Sequence, residues 1–168
     1  SCNLCQDLTK NRTQVVVGDG NQTPDILFIG EAPGVQEDIQ GKPFVGRSGK
    51  ILRDALNKLN IKNFYITNLV KCRPPTNRDP TEIESKNCFP YLKLQLKQLQ
   101  PKIICTLGRH STKKLLNASG IDMKTITAHR GTKINIVIDD KKYLLFPMYH
   151  PAATIYNQKL KKTFISDL

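Results

Sequence analysis

Long apolar runs are missing from this chain. Stretches such as Ile26-Leu27-Phe28-Ile29 fall far short of the ~20 residues a membrane span needs, so no membrane partner is expected. The first residues show no basic segment followed by an apolar one, so no export leader is expected, and the expected location is cytoplasmic and nucleoid-associated in a prokaryote. No Pro/Gly/Ser linker, internal repeat or low-complexity stretch divides the 168 residues. One single domain over 1–168 is therefore expected, long enough to bury roughly 70% of its unfolded surface. The cysteines are odd in number, at 5, and unevenly spaced, which argues against a disulfide framework.

Acidic residues are also scarce. The chain has 14 Asp and Glu against 26 Lys and Arg, a formal charge of +12. An excess of that size suits a polyanionic partner, because each phosphate that a cation neutralises releases a counterion. Apolar residues at 39% and charged residues at 24% are ordinary for a globular protein.

Apolar strand-like runs alternate with helical patterns. Strands are expected over 25–29, 64–70 and 103–107, with a hairpin or one returning strand around Asp139-Asp140. Ser48 is expected to cap a helix whose apolar face is Ile51, Leu52, Ala55, Leu56 and Leu59. A second helix is expected over 81–100, broken or kinked by Pro90, a third over 111–116, and a partly helical basic tail from Pro151. Strand–helix alternation implies an α/β fold with a largely parallel sheet covered by helices. Ligands bind such folds beyond the carboxyl ends of the strands. Those ends are followed by Gly30-Glu31-Ala32, Asn68, Gly108 and His150.

Cys2 and Cys5 form a C-x2-C pair, and Cys72 and Cys88 stand far along the chain. Two ligands from one tight turn and two from a distant segment suit an iron–sulfur cluster or a structural zinc, and the spacing leaves both open beside no metal at all. Cys105, between Ile104 and Thr106 in a strand, reads as a buried thiol. His110 reads as a helix-start residue and His129 as a surface one.

Taken in order, the segments G-E-A-P-G from Gly30, Glu37-Asp38, G-K-P-F-V-G-R-S-G from Gly41, T-N-L-V-K-C-R-P-P from Thr67, the Cys72/Cys88 pair and H-P-A-A from His150 resemble the family 4 uracil-DNA glycosylases. The resemblance runs from Cys2 to about Leu160. It implies a three-layer fold, a central four-stranded largely parallel sheet with helices on both faces, and one [4Fe-4S] cluster on Cys2, Cys5, Cys72 and Cys88. It also implies a monofunctional enzyme that hydrolyses the N-glycosidic bond of deoxyuridine in single- or double-stranded DNA.

On that reading Phe44 stacks on the flipped uracil and Asn68 reads its edge. His150 stabilises the departing anion, Glu31 with the Ala32 backbone positions water, and Gly30 and Glu37 line the pocket. Glu37 is also open to a loop-stabilising role. Arg47, Ser48, Arg73, Arg130 and Ile155 are candidate DNA contacts, with Lys50, Arg78, Lys159, Lys161 and Lys162 as further cations and Tyr156 as a second candidate wedge. Lys71 runs directly into Cys72-Arg73-Pro74-Pro75, without the basic insertion of the covalently trapping relatives, which points to a turnover enzyme. Thr154-Ile155 departs from the bulky aliphatic pair common after H-P-A-A. A monomer is expected, and the tail ending at Leu168 carries no recognisable sliding-clamp motif. The competing reading is a non-catalytic nucleic-acid-binding protein with a four-cysteine metal site, which accounts for charge and cysteines alone.

Overall fold

The computed structural model describes residues 2–168. Six strands form one sheet: β1 (Asp19–Gly20), β2 (Ile26–Gly30), β3 (Phe64–Asn68), β4 (Ile103–Leu107), β5 (Ile134–Ile138) and β6 (Lys141–Met148), in the order β1-β3-β2-β4-β6-β5. The four central strands, β3, β2, β4 and β6, run parallel. They are the four expected, and their near-continuous apolar runs reflect burial on both faces. The sheet has six strands because each edge carries an antiparallel addition, β1 against β3 and β5 against β6. The hairpin alternative holds around Asp139 and Asp140, whose φ values of 48° and 61° suit the tight turn that matches strand twist.

Helices cover both faces. α1 (Gln6–Asn11) and α2 (Val35–Gln40) are short; α3 (Arg47–Lys58), α4 (Glu82–Leu99), α5 (Arg109–Ala118), α6 (Ile126–His129) and α7 (Gln158–Asp167) complete the set. One core joins Leu27 and Ile29 of β2 to Leu92 and Leu96 of α4 and Leu115 and Leu116 of α5. The other joins Phe28, the residue between them, to Leu52 and Leu56 of α3 and Phe164 of α7. Alternate side chains of one strand thus feed opposite layers.

Two local expectations are corrected. Ser48 does not cap α3: Gly46 holds the cap position, and Ser48 lies inside the first turn. Of the break or kink expected at Pro90, the break is not found: α4 runs through it as one helix of 18 residues. Pro90 lies on the exposed side, while Leu92, Leu96 and Leu99 are buried. Thr81 and Glu84 form a reciprocal capping box at its start, and the Arg78 guanidinium grips both Glu84 oxygens at 2.7 and 2.9 Å. Packing and capping outweigh the one backbone donor that proline lacks.

Candidate active site and four-cysteine site

A cavity of about 470 Å³ opens at the carboxyl edge of the sheet, a volume suited to a small flat ligand. Its lining includes Glu31, Ala32, Glu37, Phe44, Ser48, Asn68 and His150. The structure therefore brings the candidate uracil-pocket residues to one place. The backbone sets their positions: beyond the paired strands, Leu69 N–H donates to the Gly30 carbonyl and Val70 N–H to that of Glu31, both at 2.9 Å. Gly30, at the end of β2, packs behind two of these residues: a Cβ there would come within 2.6 Å of the Phe44 ring and also collide with the Asn68 amide oxygen.

Phe44 is held in a left-handed conformation, φ 52°, that a bulky residue rarely adopts. Two clamps maintain it. Arg53 of α3 donates to the Phe44 and Pro43 carbonyls at 2.9 Å each and reaches Asp19 at 3.0 Å. Glu37 of α2 accepts from the Val45 and Gly46 N–H groups at 2.9 and 2.7 Å through one carboxylate oxygen. Glu37 thus lines the cavity and anchors the loop at once. The Phe44 ring lies 5.7 Å from that of His150, centroid to centroid.

Asn68, 2% exposed, ends β3, and its Oδ1 is a buried oxygen with no partner. An unpartnered buried amide oxygen costs free energy unless a ligand supplies a donor. Beneath it the Lys71 ammonium donates to Thr67 Oγ1, the Asn68 carbonyl and Gln95 Oε1 at 2.7, 2.6 and 2.5 Å, which fixes the strand end. His150 accepts from the Ala152 N–H through Nδ1 at 3.1 Å, so the neutral ring carries its proton on Nε2. Burial pulls its pKa down to about 4, leaving a neutral donor near pH 7. For Glu31, burial raises the carboxyl above its ordinary value; His110 opposes this and Asp79 adds to it.

Asp79 and His110 are residues that sequence reasoning missed. His110 Nε2 lies 3.1 Å from Asp79 Oδ2 and 3.8 Å from Glu31 Oε2. His110 does stand in the first turn of α5, yet it also faces the pocket carboxylate. The only available signal was its place two residues past Gly108 at a strand end.

The other cation candidates scatter. Arg47 donates to the Tyr156 hydroxyl at 3.4 Å and stacks over its ring. Tyr156 is 86% exposed, whereas Ile155 is half-buried. Arg73 donates to Asn77 at 2.7 Å. Arg130 is engaged by both Asp167 oxygens at 2.5 and 2.7 Å and lies over the Tyr149 ring. Lys50, Lys159, Lys161 and Lys162 are exposed.

Cys2, Cys5, Cys72 and Cys88 line a second, narrow cavity with Leu8, Arg12, Val70 and Asn87. Three donors address the sulfurs: Arg12 to Cys72 at 3.0 Å, the Lys71 N–H to Cys88 at 3.3 Å and Asn87 to Cys5 at 3.6 Å. Arg12 also donates to the Cys2 carbonyl at 2.8 Å, tying the first turn to the Cys72 segment. Cys105 stands apart, buried in β4, and burial pushes its thiol up to about 12.

A sheet with four parallel central strands and a polar-lined pocket at their carboxyl edge defines an α/β protein with its cavity where such folds bind ligands. The family model described as "Uracil DNA glycosylase superfamily" matches residues 17–168. The chain is 48% identical over 169 residues to the type-4 uracil-DNA glycosylase of Saccharolobus solfataricus, covering 99% of this chain and 78% of that protein. It is 45% identical to that of Sulfurisphaera tokodaii, covering 99% and 77%, and 41% identical to that of Archaeoglobus fulgidus, covering 99% and 84%. The chain belongs to the uracil-DNA glycosylase superfamily and, within it, to the type-4 family. Among the described residues, no helix is long and apolar enough to cross a membrane.

Proposed function

We propose that this chain is a monofunctional uracil-DNA glycosylase, a single domain that releases uracil from single- or double-stranded DNA and leaves an abasic site. The observation that carries the reading is the unpartnered Asn68 Oδ1 in a cavity that also holds Phe44, Glu31 and His150. Uracil offers N3–H to that oxygen and O4 to the amide donor; cytosine presents the reverse pattern and leaves both unmet. Phe44 stacks on the base face, which contributes about 1–3 kcal/mol and offsets part of the cost of flipping the nucleotide.

As the C1′–N1 bond breaks, its electron pair leaves with the base. The His150 Nε2–H donates to uracil O2 and stabilises the anion without transferring its proton. The Glu31 carboxylate, with the Ala32 backbone, orients a water whose oxygen bonds to C1′ and whose proton Glu31 accepts. Its negative charge also opposes the positive charge growing on the sugar. Glu37 faces the pocket from the loop it anchors, where it excludes a C5 methyl by contact. Among the described residues no lysine lines the cavity, which suits hydrolysis without a Schiff base and a strand left intact.

The four cysteines suit one [4Fe-4S] cluster: a set of four thiols with three hydrogen-bond donors aimed at sulfur fits cluster ligation. Cys2 and Cys5 of the N-terminal turn, Cys72 of the loop after β3 and Cys88 of α4 would hold the cluster, which would tie these segments together. Arg47, Ser48 and Arg73 are proposed as DNA contacts, with Tyr156 and Ile155 at the rim. Arg130 joins them only by leaving Asp167.

Glu31→Ala and His150→Ala test the assignment. Each is expected to cut uracil release by roughly two orders of magnitude or more while preserving fold and visible absorption. Wild-type rates in both variants would remove the assignment, and strand scission by a nuclease-free preparation would remove the monofunctional reading.

A further inference from the structure

Three separate segments converge on one edge of the pocket. β2 delivers Glu31, the loop after the Cys72 segment delivers Asp79, and the first turn of α5 delivers His110. One ligand atom of each lies within 4.8 Å of the other two. Exposure grades inward, from 68% for the Asp79 side chain through 31% for His110 to 26% for Glu31. From the same turn of α5, Arg109 brings its guanidinium to 3.8 Å from Asp79 and 3.1 Å from His110 Nε2.

The other charged or titratable groups of the cavity are held elsewhere. Glu37 accepts from the Phe44 loop, Arg78 is gripped by Glu84, and His150 accepts from Ala152. Asp79, His110 and Arg109 are thus the groups that address the Glu31 carboxyl. Asp79 and Glu31 repel when both are ionised, and positive charge on His110 and Arg109 beside them relieves that repulsion. As an isolated surface pair, His110 and Asp79 would contribute little to stability. Their place beside Glu31 gives the contact another use.

We propose that Asp79 and His110 are positioning residues for Glu31: His110, paired with Asp79 at 3.1 Å, stands 3.8 Å from the Glu31 carboxylate and holds it in place at the pocket edge. The inference rests on the reading of Glu31 as the water-orienting group. The two partners act on that carboxyl in opposite senses. His110 and Arg109 favour its ionised form, and Asp79 favours the protonated form.

The test is the single-turnover rate of uracil release across enzyme concentrations up to saturation, which gives the plateau rate and KM, from about pH 4.5 to about pH 9, for wild type, Glu31→Gln, Asp79→Asn and His110→Gln. Asp79→Asn is expected to move the acid limb to lower pH and His110→Gln to higher pH, each by about 0.5 unit or more. His110→Gln should also lower the plateau roughly tenfold or more, with KM within about twofold, because the carboxylate loses its orientation. Asp79→Ser and Arg109→Gln supply second variants, the first matching Asp79→Asn and the second following His110→Gln to a smaller extent. Opposed shifts support the proposal. Unmoved limbs, shifts in one common direction, or a loss confined to KM overturn it. If Glu31→Gln keeps the wild-type rate and acid limb, the reading of Glu31 itself falls and takes the inference with it. If Glu31→Gln is slow while the Asp79 and His110 profiles match wild type, only the inference falls.

Discussion

Adding one methyl group at Gly30 should close the pocket without straining the backbone. Gly30 is the last residue of β2 and is not among the glycines with positive φ, so alanine is tolerated conformationally. Its Cβ, however, would stand 2.6 Å from two carbons of the Phe44 ring, against an ordinary separation of about 3.5–4.0 Å. Relief requires the ring to retreat by about 1 Å, in a pocket where the His150 ring also lies close, 5.7 Å between centroids. The same Cβ presses on the Asn68 oxygen proposed to read the base. Loss of stacking contributes about 1–3 kcal/mol and loss of the Asn68 pairing about 1–3 kcal/mol. At about 1.4 kcal/mol per factor of ten, kcat/KM should fall between roughly 30-fold and roughly four orders of magnitude. Overpacking costs about 1–3 kcal/mol in stability, and each kcal/mol lowers Tm by about 2–4 °C in a chain of this size. Single-turnover uracil release and a thermal melt measure the two effects separately. A Gly30→Ala protein that keeps kcat/KM within about threefold of wild type would refute the pocket geometry.

Other consequences are simpler to state. Cys72→Ala or Cys88→Ala should abolish visible absorption from the cluster and lower Tm, read by absorbance and melting; a coloured variant of normal stability would contradict the ligand set. Arg12→Gln removes donors to the Cys72 sulfur and the Cys2 carbonyl. It should speed loss of iron to a chelator roughly tenfold or more, in line with the effect of groups behind metal ligands, and an unchanged rate would count against it. His150 binds a proton only near pH 4 when folded but at about 6.5 when unfolded, so the unfolded chain takes up the extra proton between those values. Stability should therefore fall as pH drops from 6.5 toward 4, more steeply in wild type than in His150→Asn. Equal losses in chemical unfolding across that interval would contradict the buried neutral imidazole.

Much of this site was legible because a parallel sheet writes its central strands as apolar runs and places chemistry where they end. Gly30, Asn68 and His150 stand at the ends of such runs, so the fold class came from that pattern, while the pocket residues, Phe44 among them, came from the family resemblance of the loop segments taken together. The six-stranded width was not legible: Asp19–Gly20 is too short to show a period. Pro90 misled because its exposed side of α4 is decided by packing of Leu92 and Leu96 in three dimensions. Ser48 misled because Gly46 takes the cap two residues earlier. Contacts made by loop path were the hardest to foresee. Arg12 reaches Cys72 across 60 positions, and Asp79 meets His110 only because the segment after Cys72 folds over the sheet edge.

The central claim is that the pocket selects and releases uracil. The most direct measurement incubates the purified protein with oligonucleotides carrying a single uracil, thymine or cytosine and quantifies the free base. Release of uracil alone, with the strand left intact, is the predicted result. Release of thymine would contradict exclusion of the C5 methyl, and release of cytosine the Asn68 readout. No release by a folded, cluster-bearing protein would contradict the enzyme itself.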